Sequence, residues 1–434
     1  MYDQNHIYYR LQFKLRSSLL IGNGLSKNTD NDVLMNAEGK PFIPGTTIAG
    51  MLRDMAGCDG DELFGTVLKG DRGNISSLYV YDACTELMPE QIRISKRDNV
   101  ALDQYKTAID GKKYDYEVIE PDIDFIGLIE INKNVPVQTK EKAEVLLGCL
   151  AAQGCCLGVK KTRGMGRMDV EIQKRSFNLG DPAEKERWLD FHPFCADSWK
   201  QAGAIKLLPK QTGRSSVYTL RISLRQKGGL SIRVYTTDLA DVDYRTIRYS
   251  KDTDAVLVPG TSWAGAFRAR VGEFVSEDTL TKLFGDVVDR KNGKRQKDTN
   301  EPDAYRSLIT FSETRLTGGS FKKINRNAID RFSGKVKDTS LYGEETYYGG
   351  KGELVITLPG GDEYAQARQA SGAAVADLHH GLLAVGGLTA VGRGLFEIEE
   401  GGLKLNEETV DISKPGWEND LLKKLGVEEA EDHD

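Results

Sequence analysis

The sequence predicts an α+β protein in which a ferredoxin-like, RRM-like β-α-β-β-α-β plan is used twice, each copy carrying an insertion. Three observations carry this. A thirteen-residue pattern recurs at an offset of 215 residues, both copies open on a period-2 run, and both close on an apolar helix-like segment, a glycine loop and a strand-like run. The length, 434 residues, is enough for two or three domains with separate cores.

The opening strands are read from Tyr9, Leu11, Phe13, Leu15 and from Tyr218, Leu220, Ile222, Leu224, whose alternation puts one face of each strand on a core. The repeated pattern follows: Pro41-Phe42-Ile43-Pro44-Gly45-Thr46-Thr47-Ile48-Ala49-Gly50-Met51-Leu52-Arg53, then Val256-Leu257-Val258-Pro259-Gly260-Thr261-Ser262-Trp263-Ala264-Gly265-Ala266-Phe267-Arg268. Thr46-Thr47 and Thr261-Ser262 stand where N-caps belong, opening helices that continue through Arg53–Met55 and Arg268–Val271. Leu63-Phe64-Gly65 returns as Leu283-Phe284-Gly285 at offset 220, and Ala101-Leu102-Asp103 as Ala328-Ile329-Asp330 at offset 227, so order is kept while the offset drifts. The insertions fall at about residues 66–120 and 286–346. Late in each copy, Lys142–Cys156 and Ala374–Val385 read as apolar helices leading into the glycine loops at Gly158–Arg167 and Gly386–Gly394, and Met168–Ile172 and Leu395–Ile398 read as the closing strands. The copies are therefore placed at 1–175 and 216–400, with an ordered connector at 176–215 holding Trp188 and Trp199, and an acidic tail at 401–434.

Net charge is −6, which alone argues against a polyanion partner. The tail holds ten acids and four lysines, so residues 1–400 sum to zero and local patches decide the partner. Lys206–Arg233 carries seven cations and no acid, and Arg290–Lys297 five in eight. The six cysteines form no CxxC pair and read as thiols of a reducing compartment. Met1–His6 has neither a basic nor an apolar signal region, and the longest apolar stretch, Val145–Val159, is shorter than the roughly 20 residues of a span, so the expected location is the cytoplasm, away from membranes.

At the Pro-Gly-Thr helix starts, the Leu-Phe-Gly elements and the late glycine loops, the sequence resembles the RAMP superfamily of CRISPR–Cas systems, over roughly residues 5–175 and 215–400. The tandem arrangement is similar to fused backbone subunits of type III RNA-targeting effector complexes. The resemblance implies two RAMP modules with thumb insertions, and as partners a guide CRISPR RNA, a complementary target RNA and other effector subunits. It also implies that an Asp between the first strand and the Pro-Gly helix cleaves the target, which points to Asp30 in the first module and Asp243 in the second, with Asp32 and Asp241 close enough to leave each choice open. In the thumbs, Phe332 and Tyr105, or Ile329 and Leu102, are the residues that wedge between bases under this resemblance.

The chemistry these residues could perform is metal-dependent endoribonuclease cleavage. RNA brings its own nucleophile, the 2′-OH, so a loop carboxylate with a weakly held divalent cation, Mg²⁺ being expected, suffices without histidine. No dedicated metal cage is legible, and the five histidines are scattered. The competing use of a loop Asp is turn capping. The glycine loops follow a helix and precede a strand, the reverse of a dinucleotide fingerprint, and suit a phosphodiester chain lying against main-chain N–H groups and cations. This gives Lys160, Lys161, Arg163, Gly164, Gly166 and Arg167 in the first module, and Gly392, Arg393 and Gly394 in the second, as RNA-binding candidates. Thr46, Thr47 and Arg53, and Thr261, Ser262 and Arg268, join them because a helix N-terminus favours an anion. Two other readings are a non-catalytic RNA-binding assembly subunit and a stand-alone CRISPR-RNA processing endoribonuclease.

Overall fold

The computed structural model describes residues 5–24, 29–66, 73–102, 108–132, 135–200, 217–235, 242–249, 254–285, 306–338 and 340–426. Tyr105, Asp241, the Arg290–Lys297 run and the cations at 206, 210 and 214 lie outside the described residues. The chain forms two compact units, one of residues 1–101, 108–161 and 165–213, the other of residues 102–107, 162–164 and 214–434.

The first unit contains β1 (Asn5–Leu15), β2 (Phe42–Ile43), α1 (Gly45–Ala56), α2 (Gly60–Phe64), β3 (Leu78–Val80), β4 (Ala83–Cys84), the paired β5 (Ile94–Leu102) and β6 (Ala108–Ile119), β7 (Asp124–Ile131), α3 (Val137–Gln153), β8 (Cys155–Cys156), β9 (Arg167–Asn178) and α4 (Pro182–Leu189). Its main sheet runs β2-β4-β7-β1-β9-β8, with β3 also on β7. The first strand thus lies between the closing strand and β7, the ferredoxin-like order. The alternation of β1 has its expected effect: Tyr9, Leu11, Phe13 and Leu15 are buried with Ile48 and Leu52 of α1 and Leu146, Leu147 and Leu150 of α3. Each such side chain removed from water contributes roughly 1.5–3 kcal/mol.

The other face of this sheet is also covered. Tyr8, Leu128 and Phe177 pack with Trp188, Phe191 and Trp199 from the segment after β9. Trp188 Nε1 donates to the Tyr8 hydroxyl at 3.1 Å, and Trp199 Nε1 to the Pro193 carbonyl at 2.9 Å, so neither buried indole N–H is left unpaired. The open sheet face on which an RRM stacks bases is therefore occupied by the chain's own aromatic residues.

The second unit contains β10 (Tyr218–Lys227), β11 (Gly229–Leu230), β12 (Arg233–Tyr235), β13 (Tyr244–Thr246), β14 (Val256–Val258), α5 (Gly260–Val271), α6 (Glu277–Phe284), β15 (Thr310–Phe311), β16 (Thr314–Leu316), β17 (Ser320–Arg326), β18 (Tyr342–Tyr348), β19 (Lys351–Leu358), α7 (Ala365–His379), β20 (Leu395–Leu405), β21 (Glu408–Val410) and α8 (Trp417–Leu425). One sheet runs β15-β19-β10-β20-β21, with the first strand again between the closing strand and β19, a second runs β11-β18-β13-β12 with β17 on β18, and β14 pairs β16 apart from both. Leu220, Ile222 and Leu224 face a core that includes Trp263, Phe267, Ala374, Leu378 and Phe396.

Two expectations are corrected here. Residues 401–426 are not a tail: β20 runs on to Leu405, and Leu403, Leu405, Val410, Trp417, Leu421 and Leu425 belong to the core of the second unit. Arg368, fully buried on α7, donates to the carbonyls of Leu425, Gly426, Pro359 and Gly361, and its guanidinium lies 4.5 Å over the Tyr218 ring. It thereby meets the carbonyl-bearing end of α8, where a cation is favoured. The hydroxyl residues after Pro-Gly are not N-caps either. Both helices begin at the glycine, with Pro44 and Pro259 at the N-cap and no side-chain cap, so Thr46, Thr47, Thr261 and Ser262 lie inside the first turn. Close approach explains the recurrence of glycine, because a Cβ on Gly45 would come within 2.4 Å of the Val80 carbonyl oxygen and one on Gly260 within 2.1 Å of that of Arg163. The Gly45 N–H is satisfied by the Asp82 carboxylate at 2.7 Å.

Candidate functional site

Between β1 and α1, the sequence Thr29-Asp30-Asn31-Asp32 forms a tight turn in which the two aspartates divide the work. Asp32 is buried, and its Oδ1 accepts from the Thr29 N–H at 2.9 Å and the Thr29 hydroxyl at 2.8 Å, a local side-chain-to-backbone closure of the loop. Asp30 is exposed and reaches the β5–β6 hairpin instead. Its N–H donates to Asp115 Oδ1 and its Oδ2 accepts from the Asp115 N–H, both at 2.9 Å. The Asp115 carboxylate also pairs with Lys96, which together with the Asp30 N–H holds its pKa below the usual carboxylate range.

The second unit repeats this clasp. Asp243, exposed just before β13, donates its N–H to the Gly343 carbonyl at 3.0 Å, and its Oδ2 accepts from the Gly343 N–H at 2.8 Å. Gly343 stands on β18, the second strand of the inserted hairpin, as Asp115 stands on β6. Each clasp fixes a carboxylate through one oxygen, and among the described residues the other oxygen has no donor. That is the condition for a single-carboxylate contact to a hydrated cation that keeps most of its waters.

The glycine loops share their backbone at a constant offset of 228. Positive φ occurs at Gly158, Lys160, Gly164 and Gly166 and again at Gly386, Leu388, Gly392 and Gly394. A Cβ on Gly166 would lie 1.8 Å from the Leu157 carbonyl oxygen and one on Gly394 1.9 Å from that of Val385, so glycine is required there by space as well as by φ. Side chains differ between the loops. Lys160 Nζ donates to the Tyr114 hydroxyl at 3.0 Å and lies 3.8 Å from the Tyr116 ring centroid. Burial, reinforced by Arg97, pushes its pKa down to about 8.

Arg393, expected to face RNA, is 4% exposed, with Thr346 and Glu344 on its guanidinium. Its loop position is turned inward, as is that of Met165, its counterpart 228 residues earlier, and the pairing with Glu344 makes the arginine an internal strut. In the second unit Arg163 Nη2 donates to the Phe284 carbonyl at 3.0 Å and Arg268 Nη1 to that of Gly285 at 3.1 Å, so both guanidinium groups hold the end of α6. Arg53 pairs with Asp61 on α2. Thr46 and Arg167 are exposed, Thr47, Lys161, Gly164, Thr261 and Ser262 half-buried. The thumb residue Phe332 is 92% exposed beside Ile329 at 66%, in a turn where Asp330 accepts from the N–H groups of Phe332 and Ser333.

Sequence reasoning missed Asp115 and Gly343, and with them the residues around Glu344. Tyr114 and Tyr342 recur at the glycine-loop offset of 228, the signal that could have located both. His379, by contrast, is committed to packing, its Nδ1 accepting from the Ile398 N–H at 3.1 Å. No group of three or more His, Cys, Asp or Glu side chains arranged for a metal ion occurs among the described residues. A comparison with curated proteins finds no match for the chain. The RAMP superfamily profile matches residues 12–169 and again residues 242–397, each time spanning an Asp clasp, a Pro-Gly helix and a glycine loop, and the chain belongs to the RAMP superfamily.

Proposed function

We propose that the chain is a tandem backbone subunit of a type III CRISPR effector complex, binding guide RNA and cutting the complementary target at Asp30 and Asp243. RAMP proteins act in CRISPR complexes with RNA and other subunits, and the duplicated clasp carries the catalytic half of the reading. Two exposed carboxylates are each held on a strand of an inserted hairpin, one main-chain N–H on each. Chain geometry of this kind fixes the group against the phosphodiester without tying up both oxygens. The target's 2′-OH attacks the adjacent phosphorus as its proton leaves toward the loop carboxylate, the P–O5′ bond breaks, and the departing 5′ oxygen takes a proton from water, so the products carry a 2′,3′-cyclic phosphate and a 5′-hydroxyl. A divalent cation held at Asp30 or Asp243 would supply positive charge at the phosphoryl oxygens. The RNA-contacting residues in this reading are Thr46, Thr47, Lys160, Lys161, Arg167, Thr261 and Ser262, with the glycine-loop main chain.

The clasp also supports a second reading, a subunit that assembles on RNA without cutting it, because the same hydrogen bonds give each Asp a structural duty. Asp30→Asn and Asp243→Asn separate the two. The amide oxygen keeps the clasp and only the charge is lost, so the catalytic reading expects each variant to lose one of two cuts while RNA affinity and thermal stability hold. A wild type that binds RNA without cutting it would leave the assembly reading standing, and cuts that persist in both variants would reject the placement of the cleaving groups at Asp30 and Asp243. Affinity that does not fall with salt would reject RNA binding itself, since each single-strand phosphate contact contributes a slope of roughly −0.7.

A further inference from the structure

Beside Asp243, one buried carboxylate serves three arginines. Glu344 is 2% exposed; Arg326 Nε lies 2.8 Å from its Oε1, Arg393 Nη2 shares that oxygen, and Arg233 Nη2 lies 3.5 Å from Oε2. Three cations against one carboxylate leave an excess of two positive charges. The arginines are not equivalent. Arg393 is sealed inside, whereas the side chains of Arg233 and Arg326 are 30% and 33% exposed. The buried Nε–H of Arg326 has no aligned hydrogen-bond acceptor, despite its closeness to Glu344.

The surroundings are those of a nucleic-acid contact. The Arg233 guanidinium lies 4.6 Å over the ring of Tyr244, the residue after Asp243, and Tyr244 meets Tyr342 edge to face at 6.2 Å. Glu344 follows Gly343, the clasp partner of Asp243, along β18, and Tyr244 pairs with it in register. Successive strand residues point to opposite faces, so the arginines gather on one side of the β13–β18 pair and the Asp243 carboxylate stands at its end.

We propose that Arg233 and Arg326, braced from below by Glu344, are positioning residues that seat a phosphate of the RNA strand cut at Asp243, and that Lys160 on its Tyr114–Tyr116 platform fills the same duty in the first module. Between the modules the cation has moved. Glu344 and Arg393 stand where the first module has Tyr116 and Met165, and Leu388 stands where it has Lys160. A buried ion pair in one copy is replaced by an apolar pair in the other, an exchange that interiors accept, and a cation is kept at the junction of hairpin and glycine loop in both.

This inference rests on the cleavage reading but is tested apart from it. The full chain carrying Asp30→Asn and Asp243→Asn is titrated with single-stranded RNA across a salt series, with and without Arg233→Met/Arg326→Met. Loss of the contact to this one phosphate is expected to flatten the salt slope by about 0.7. In the cleaving protein the same pair of substitutions is expected to slow the Asp243 cut on the order of 10–100-fold and leave the Asp30 cut unchanged. Arg233→Lys/Arg326→Lys, which keeps the charge, is expected to restore the salt slope and part of the rate. A Met pair that folds, as shown by an unchanged urea midpoint, and keeps the wild-type slope overturns the seat. A wild type that binds RNA with the expected slope yet never cuts rejects the cleavage reading and leaves the seat to be judged on the slope. If the Met pair fails to fold, Arg233→Gln/Arg326→Gln takes its place and is read in the same way: a flattened salt slope and a slowed Asp243 cut support the seat, and wild-type values for both overturn it.

Discussion

Replacing Lys160 by Met should stabilise the first unit at neutral pH, although it removes a hydrogen bond and a cation–π contact. The lysine sits half-buried over Tyr116, and burial pushes its pKa from 10.5 down to about 8. A depressed lysine pKa means that the folded state binds fewer protons than the unfolded chain between those two values, so stability rises with pH through that window. At full strength a displacement of this size is about 3 kcal/mol, and solvent reaching the half-buried ammonium reduces the expected effect to about 1–2 kcal/mol. Urea unfolding of wild type and Lys160→Met at pH 6.5 and 9.5 measures it. With an m-value of about 2–3 kcal/mol/M, the variant's midpoint should lie higher by roughly 0.5 M at pH 6.5, and more than half of that gap should have closed by pH 9.5. RNA affinity should move the opposite way, falling above pH 8 in wild type because a phosphate prefers the charged amine. A variant no more stable than wild type at pH 6.5, or a gap that ignores pH, would refute the reasoning.

Other consequences follow from single contacts. Gly166→Ala and Gly394→Ala should each cost more than about 2 kcal/mol by thermal unfolding, because a Cβ meets a carbonyl oxygen at 1.8 and 1.9 Å, whereas Gly39→Ala, with the same sign of φ but nothing within 4 Å, should cost about 1 kcal/mol. Glu344→Gln should cost about 3–5 kcal/mol in urea unfolding by stranding the sealed Arg393 guanidinium, and adding Arg393→Met should recover most of it; additive losses would mean the two are not coupled. Arg368→Met should cost about 3 kcal/mol and raise amide exchange across α8, since four carbonyls lose their donor; unchanged exchange there would show that packing alone holds the helix.

How much of this was written in consecutive residues can be judged element by element. The alternation at Tyr9–Leu15 and Tyr218–Leu224 placed both central strands, and the glycine spacing placed both loops, because periodicity and positive φ are properties of a short stretch of chain. The segment after Gly401 was misjudged from its net charge, although Trp417, Leu421 and Leu425 stand at helical spacing on one buried face. Charge counting weighs every residue equally, whereas a helix needs only one apolar stripe to dock.

For the candidate site, sequence narrowed the choice to two aspartates in each loop, and in the first loop burial separated them. Asp32 turns inward onto Thr29, three residues away, while Asp30 meets Asp115, 85 residues on. Arg393 shows the same divide: the glycines around it were legible as a loop, but its partner Glu344 lies 49 residues earlier, and only their meeting makes the arginine a strut. The sequence by itself determined what depends on neighbours along the chain: strand periodicity, helix starts at Pro-Gly, left-handed glycines and the duplication that links them. The tertiary structure alone decided which charges are sealed and which face solvent, because that depends on strands brought together from distant segments, where a carboxylate is either solvated or forced to find a cation.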